Sequence, residues 1–268
     1  MQRRGPVVMA SLDWLVVAVT SFTIFQILFH YLSAKISVCF CNGYRTLTDI
    51  QKVEWNSRVV STFHALLVGL LCLYLLWFDD AVNADPIWGD PTLVKLNVGL
   101  AAGYFIQDFL LILWYWKAIG DIYFVIHHLT ALYAYYYVLG EGMLPYFANF
   151  RLIAEFSTPF VNQRWFFEVL GYPKTSKPNI INGFLMALIF FLVRIAVMPP
   201  YYNKMISTFG TEAFNKLGLQ AQLTWIIASI CLDVMNLMWM HKIGKGCHKV
   251  LLACKKEKAD IQENGKQQ

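Results

Sequence analysis

Two adjacent histidines, His127 and His128, stand inside an apolar, aromatic stretch long enough to cross a bilayer. Ionisable side chains at membrane depth are costly and rare, and they mark function by default. His64, Asp108, Glu155, Arg194 and Asp233 stand in similar surroundings. An imidazole held by a carboxylate has a defined tautomer and a free nitrogen, which suits proton transfer or nucleophilic attack. Adjacent helical residues point about 100° apart. One histidine is therefore expected to face a cavity while the other pairs with a carboxylate on a neighbouring helix. Such a site suits acyl transfer between lipids, with the acyl chain in a helix-lined cavity and the headgroup entering from the cytosolic side. A plainer reading carries equal weight: the histidines tie helices together through hydrogen bonds. No metal site is expected, because the chain has no His-x-x-x-His pair and no cysteine in the same layer.

The elements that must position these residues follow from the apolar pattern. Hydrophobic residues make up 57% of the chain and fall in long continuous blocks. Only helices and closed barrels satisfy their backbone in lipid, and continuous blocks select helices. The expected fold is an all-α membrane bundle of about seven transmembrane helices, with six to eight compatible with the pattern. The spans fall at about 12–32, 57–78, 94–115, 121–139, 143–167, 180–201 and 217–241. The fifth is the most polar, with Asn149, Arg151, Glu155, Ser157, Thr158, Asn162 and Arg164, so it must face protein or water. Pro159 predicts a kink there that turns carbonyls toward a cavity. The Pro199–Pro200 pair predicts the end of the sixth span. Between the first two spans, Leu47, Ile50 and Val53 recur near a helical turn and Trp55 suits an interface. That spacing predicts a short amphipathic interfacial helix.

Loop charges give an orientation. Lys35, Arg45, Lys52, Arg58, Lys117, Lys174 and Lys177 share one side with a lysine-rich tail. The other side holds Arg3, Arg4, Lys204 and Lys216, with an acidic loop of Asp79, Asp80, Asp85 and Asp90. The positive-inside rule then places the N-terminus in the lumen and the C-terminus in the cytosol. Three regions are expected: 1–39, a lumenal N-terminus with the first span; 40–245, the membrane domain; and 246–268, a basic cytosolic tail, disordered beyond Ala253. The tail suits anionic lipid headgroups as partners. Cys247 and Cys254 are either free thiols or sites of S-palmitoylation. Nothing in the composition suggests a nucleic-acid partner.

On these spans His64, Asp108, His127, His128 and Asp233 lie about two turns from the cytosolic boundary, roughly 10 Å deep at 1.5 Å per residue. Glu155 is expected to lie deeper. His127, His128 and Glu155 are the candidate catalytic residues. His64, Asp108, Ser157, Thr158, Asn162, Arg194 and Asp233 are candidates for binding lipid or substrate. Arg194 either neutralises Glu155 or meets a lipid phosphate. For Asp233 the simplest expectation is a pair within the bundle.

Five short motifs occur in order: Glu54-Trp55-Asn56-Ser57-Arg58, His64-Ala65, Tyr104-Phe105-Ile106-Gln107-Asp108, His127-His128-Leu129-Thr130, and Glu155-Phe156-Ser157-Thr158-Pro159-Phe160. In that order and spacing they resemble the TLC-domain family, which includes ceramide synthases and translocon-associated membrane proteins. The resemblance covers roughly residues 40–245. It implies a TLC-type helical bundle in the endoplasmic reticulum membrane with a role in lipid homeostasis, and acyl or sphingolipid-like membrane lipids as partners. In ceramide synthases, paired histidines belong to an acyl-transfer site that uses acyl-CoA. His127 and His128 match that pair. Ala154 and Thr158 stand where the synthases carry a further histidine and aspartate, so half of that constellation is absent. The resemblance therefore implies a different lipid acyl transfer, with acyl-CoA as co-substrate and no resident cofactor required. Equally, it implies a non-enzymatic lipid sensor, lipid transporter or cargo adaptor.

Overall fold

A computed structural model describes the backbone from residue 5 to 266 and side chains from 14 to 255. Arg3, Arg4 and the side chains of Lys256, Lys258 and Lys266 lie outside the described residues. Among the described residues the chain is helical without strands. The elements are α1 (Trp14–Phe40), α2 (Asp49–Phe78), α3 (Thr92–Trp114), α4 (Ile122–Glu141), α5 (Pro145–Arg151), α6 (Thr158–Val169), α7 (Lys177–Ile206) and α8 (Leu219–Lys266). Of these, α1, α2, α3, α4, α7 and α8 include six stretches long and apolar enough to cross a membrane.

The expected fifth span is not one helix. It is α5, a 3-10 stretch at Leu152–Ser157, and α6, which begins with Pro159 in its first turn. Proline has no N–H to donate and is tolerated there, so the chain changes helix type just before it. This broken element runs antiparallel along α2. Phe166 packs on Trp55 with ring centroids 4.5 Å apart, Asn162 accepts from Arg58 at 3.1 Å, and the Asn149 carbonyl lies 3.0 Å from Cys72 Sγ. From Trp55 to Cys72 is about 25 Å of helix, most of a hydrocarbon core. The broken element thus travels as far as a span while remaining too polar to face lipid.

Three further boundaries differ from the sequence expectation. No separate interfacial helix forms at 45–58. Thr48 and Gln51 make a reciprocal capping box, and α2 then runs unbroken for 30 residues. Pro199 and Pro200 do not end the sixth span; they open its last helical segment, Met198–Ile206, after a turn. Finally, α8 continues to Lys266 through the segment expected to be disordered. Lysine, glutamate and alanine there are strong helix formers.

Close packing fixes the frame around the histidines. α1 and α3 run parallel and meet at Gly99 and Gly103, a small-x-x-x-small pair. A Cβ at Gly103 would lie 2.4 Å from the Ala18 carbonyl, so only glycine fits. Ser21 Oγ donates to the Leu100 carbonyl at 2.7 Å across the same seam. α2 runs antiparallel to both. Asn97 bridges the Val68 carbonyl at 3.2 Å and Asn149 at 3.1 Å, tying α2, α3 and α5 into one unit. Beyond Gly142 and Leu144, both at positive φ, the chain reverses sharply from α4 into α5.

Candidate functional site

α4 presents its two histidines to different neighbours, as the 100° offset requires. His128 is buried against α3. Its Nδ1 lies 2.6 Å from the Phe124 carbonyl, one turn back. A carbonyl can only accept, so Nδ1 carries a proton. Nε2 then faces Asp108 Oδ2 at 3.1 Å, an ion-pair distance, off the axis of a formed hydrogen bond. The contact is attractive when Nε2 also carries a proton. Ser57 on α2 donates to the other Asp108 oxygen at 3.3 Å. His128 is thus held by a carboxylate on one side and by its own helix on the other.

His127 is turned toward α8. Its Nδ1 is buried without a partner, and its ring meets Trp239 of α8 edge-on at 5.7 Å. It lines a cavity of about 40 Å³ between α4, the 3-10 stretch, α7 and α8, together with Tyr135, Glu155, Arg194 and Asn236. A second cavity of about 60 Å³ adjoins it. The two share Ala131, Tyr135, Arg151, Tyr201 and Leu232 as walls.

Arg194 reaches this space from a π-helical turn, Phe191–Ile195, in α7. Such turns are frequent at functional sites. Its Nε donates to Ser157 Oγ at 2.8 Å and its Nη1 to Asn236 Oδ1 at 3.0 Å. Ser157 in turn donates to the Ala154 carbonyl at 2.9 Å. Glu155, half-buried on the same cavity, accepts from Thr158 Oγ1 at 3.0 Å. Serine and threonine beside Pro159 therefore fix two charged side chains that line the same cavity.

The remaining candidates lie elsewhere. Asp233 does not line the histidine cavity. It sits one turn of α8 before Asn236 and grips Arg151 of α5 through both oxygens, at 2.5 and 3.0 Å. Glu155 lines the same cavity as His127 and Arg194. Asn162 bridges α6 to α2 through the Arg58 carbonyl at 3.1 Å and Thr62 Oγ1 at 3.0 Å, and does not line the cavity. His64 lies between α1, α2 and α3, stacked on Tyr104 at 3.8 Å with both ring nitrogens unpartnered. It is next to the histidine–aspartate pair but outside both cavities.

Sequence reasoning missed four wall residues: Arg151, Tyr201, Tyr135 and Asn236. The Arg151 guanidinium lies 3.9 Å over the Tyr201 ring, and the Tyr201 hydroxyl meets Ser229 Oγ at 2.8 Å and accepts from Trp225 at 3.0 Å. Charge balance offered one signal, since Arg151 and Asp233 are opposite charges in apolar surroundings. The tyrosines and Asn236 gave none, being ordinary in aromatic spans.

Comparison with known proteins agrees with this architecture. The TLC domain matches residues 54–245. The chain is 64% identical to TLC domain-containing protein 4-B of Xenopus laevis over 250 residues, covering 93% of this chain and 95% of that one. It is 52% identical to TLC domain-containing protein 4 of Homo sapiens, covering 94% and 97%. Identity falls to 26% with topoisomerase I damage affected protein 4 of Saccharomyces cerevisiae, covering 90% and 86%. No solved structure matches. The domain match across the bundle, and these relatives along nearly its whole length, place the chain in the TLC-domain family of membrane proteins.

Proposed function

We propose that this protein is a multi-pass endoplasmic reticulum membrane protein of lipid homeostasis that holds an acyl lipid within its bundle. Its N-terminus is lumenal and its C-terminus cytosolic, following the lysine bias. The observation that carries the reading is His127: a buried imidazole with an unpartnered nitrogen on a cavity wall, beside a histidine already fixed by Asp108. In an acyl transfer from a thioester such as acyl-CoA, His127 accepts the proton of an acceptor hydroxyl or amine. The acceptor atom attacks the acyl carbon, the carbon–sulfur bond breaks, and the departing thiolate takes up a proton. The two cavities are small for a full acyl chain. Binding one requires α4, α7 and α8 to part along the walls they share.

One observation favours a non-enzymatic lipid sensor, lipid transporter or cargo adaptor. Thr158 stands where a synthase aspartate would be, and here it serves to hold Glu155. Untargeted lipidomics of null cells separates the two readings. Rescue by wild type but not by His127→Ala/His128→Ala, at equal expression and location, supports the histidine-dependent site. Equal rescue by both moves the function to the sensor or adaptor reading.

A further inference from the structure

Two arginines line the histidine cavity, and they are treated differently. Arg151 is matched by Asp233 in a two-pronged ion pair. Arg194 is 9% exposed, yet its hydrogen bonds go only to the neutral groups of Ser157 and Asn236. Among the described residues no carboxylate oxygen lies within 4.0 Å of it. Its other neighbours are the faces of Phe190 at 5.0 Å and Trp239 at 5.8 Å. Glu155 lines the same cavity but stands beyond ion-pair distance; a guanidinium is always charged, and burying it without an acid in direct contact is costly. Five donors in a planar fork match a carboxylate, and Nε and Nη1 use only part of that set. Nearby, His127 Nδ1 is also without a partner.

We infer that the cavity is a site for the carboxylate of an acyl lipid, with Arg194 as the counter-ion and His127 as the second polar contact. The inference rests on the acyl-lipid reading above and names the head that the site takes. Glu155 shares the cavity and repels anions, which favours a single negative charge over a phosphate. The small volume points the same way. Ile153, Val193 and Val197 complete an aliphatic wall between the 3-10 stretch and α7, suited to the first carbons of a chain.

The test is equilibrium binding to the purified full-length protein in detergent, at a pH where oleic acid is ionised. The probes are radiolabelled oleic acid, methyl oleate, N-oleoylglycine and oleoyl-lysophosphatidic acid. Oleate is expected to bind wild type at least tenfold tighter than methyl oleate. Arg194→Gln removes that preference, while Arg194→Lys keeps part of it. Oleate and N-oleoylglycine distinguish a carboxylate directly on the chain from one set beyond an amide; tight binding of either supports the site. Equal binding of oleate and methyl oleate to wild type overturns the carboxylate site and leaves the lipid cavity standing. Tighter binding of lysophosphatidic acid than of either carboxylate also overturns it. Binding of no probe overturns both readings. If Arg194→Gln does not fold, the acid-against-ester contrast in wild type and Arg194→Lys decides the matter.

Discussion

Replacing Asp233 with leucine is expected to cost more than any other single change in this bundle. The carboxylate holds Arg151 through oxygens at 2.5 and 3.0 Å, with side-chain exposures of only 7% and 17% for the two partners. Removing it leaves a guanidinium with one long contact, the Ser229 carbonyl at 3.5 Å, and the Tyr201 ring at 3.9 Å. A broken buried pair costs about 3–5 kcal/mol, because the remaining charge is uncompensated. Replacing both partners by apolar groups of similar volume costs far less. Arg151→Met/Asp233→Leu is therefore expected to lie within about 2 kcal/mol of wild type, with a coupling energy of at least about 2 kcal/mol between the two sites. The assay is reversible unfolding in bicelles of wild type, both single variants and the double variant, combined as a thermodynamic cycle. Additive single effects, with the double variant the least stable of all, would refute the reasoning. The two side chains would then be acting independently through packing.

Gly103→Ala is expected to destabilise the α1–α3 seam by about 1–3 kcal/mol, because the new Cβ meets the Ala18 carbonyl at 2.4 Å. Gly183→Ala, with open space around it, is the matched control and should be neutral or slightly stabilising in the same unfolding measurement. Ser157→Ala removes the acceptor of Arg194 Nε and should cost about 1–3 kcal/mol; a loss below about 0.5 kcal/mol would mean that water or Glu155 replaces the serine at no cost. Asn162→Ala should lower stability while leaving the rescued lipid profile of null cells unchanged, since it joins α6 to α2 away from the cavity. An altered profile at equal expression would return Asn162 to the lipid site. Asp108→Asn should impair rescue about as strongly as His128→Ala, because each removes the carboxylate–imidazole pairing of Asp108 with His128.

What the sequence disclosed depended on how local the determinant was. Long apolar blocks are a property of the chain itself, so the helices could be read directly. The division of labour between His127 and His128 followed from one helical angle and is present in the structure. The partner acid could not be chosen that way, because Asp108 and Asp233 sit at similar distances from their span ends; only the packing of α3 against α4 selects Asp108. The 3-10 stretch was hidden for a related reason. Pro159 announced an irregularity, but not that a 3-10 stretch at Leu152–Ser157 divides the element, with Arg151 just before it paired to Asp233. The proline pair at 199–200 stops one helical run and equally well starts another, and nothing local tells these apart. Arg194 was visible as a buried charge, while the lack of a carboxylate at ion-pair distance from it among the described residues emerged only from the packing.

The broken fifth element also constrains how the protein is made. Arg151 and the acid that neutralises it are separated by 82 residues, and the acid arrives only with the last helix. An arginine near the middle of a membrane segment costs about 2.5–3.5 kcal/mol on insertion scales. During synthesis, therefore, the segment from Pro145 to Val169 cannot settle as a free-standing span. It must remain beside α2, held by Asn162, Asn149 and the Trp55 stack, or be shielded by the insertion machinery until α8 emerges. A chain stopped before Asp233 would retain an unmatched charge within the bilayer, a mark that membrane quality control could recognise.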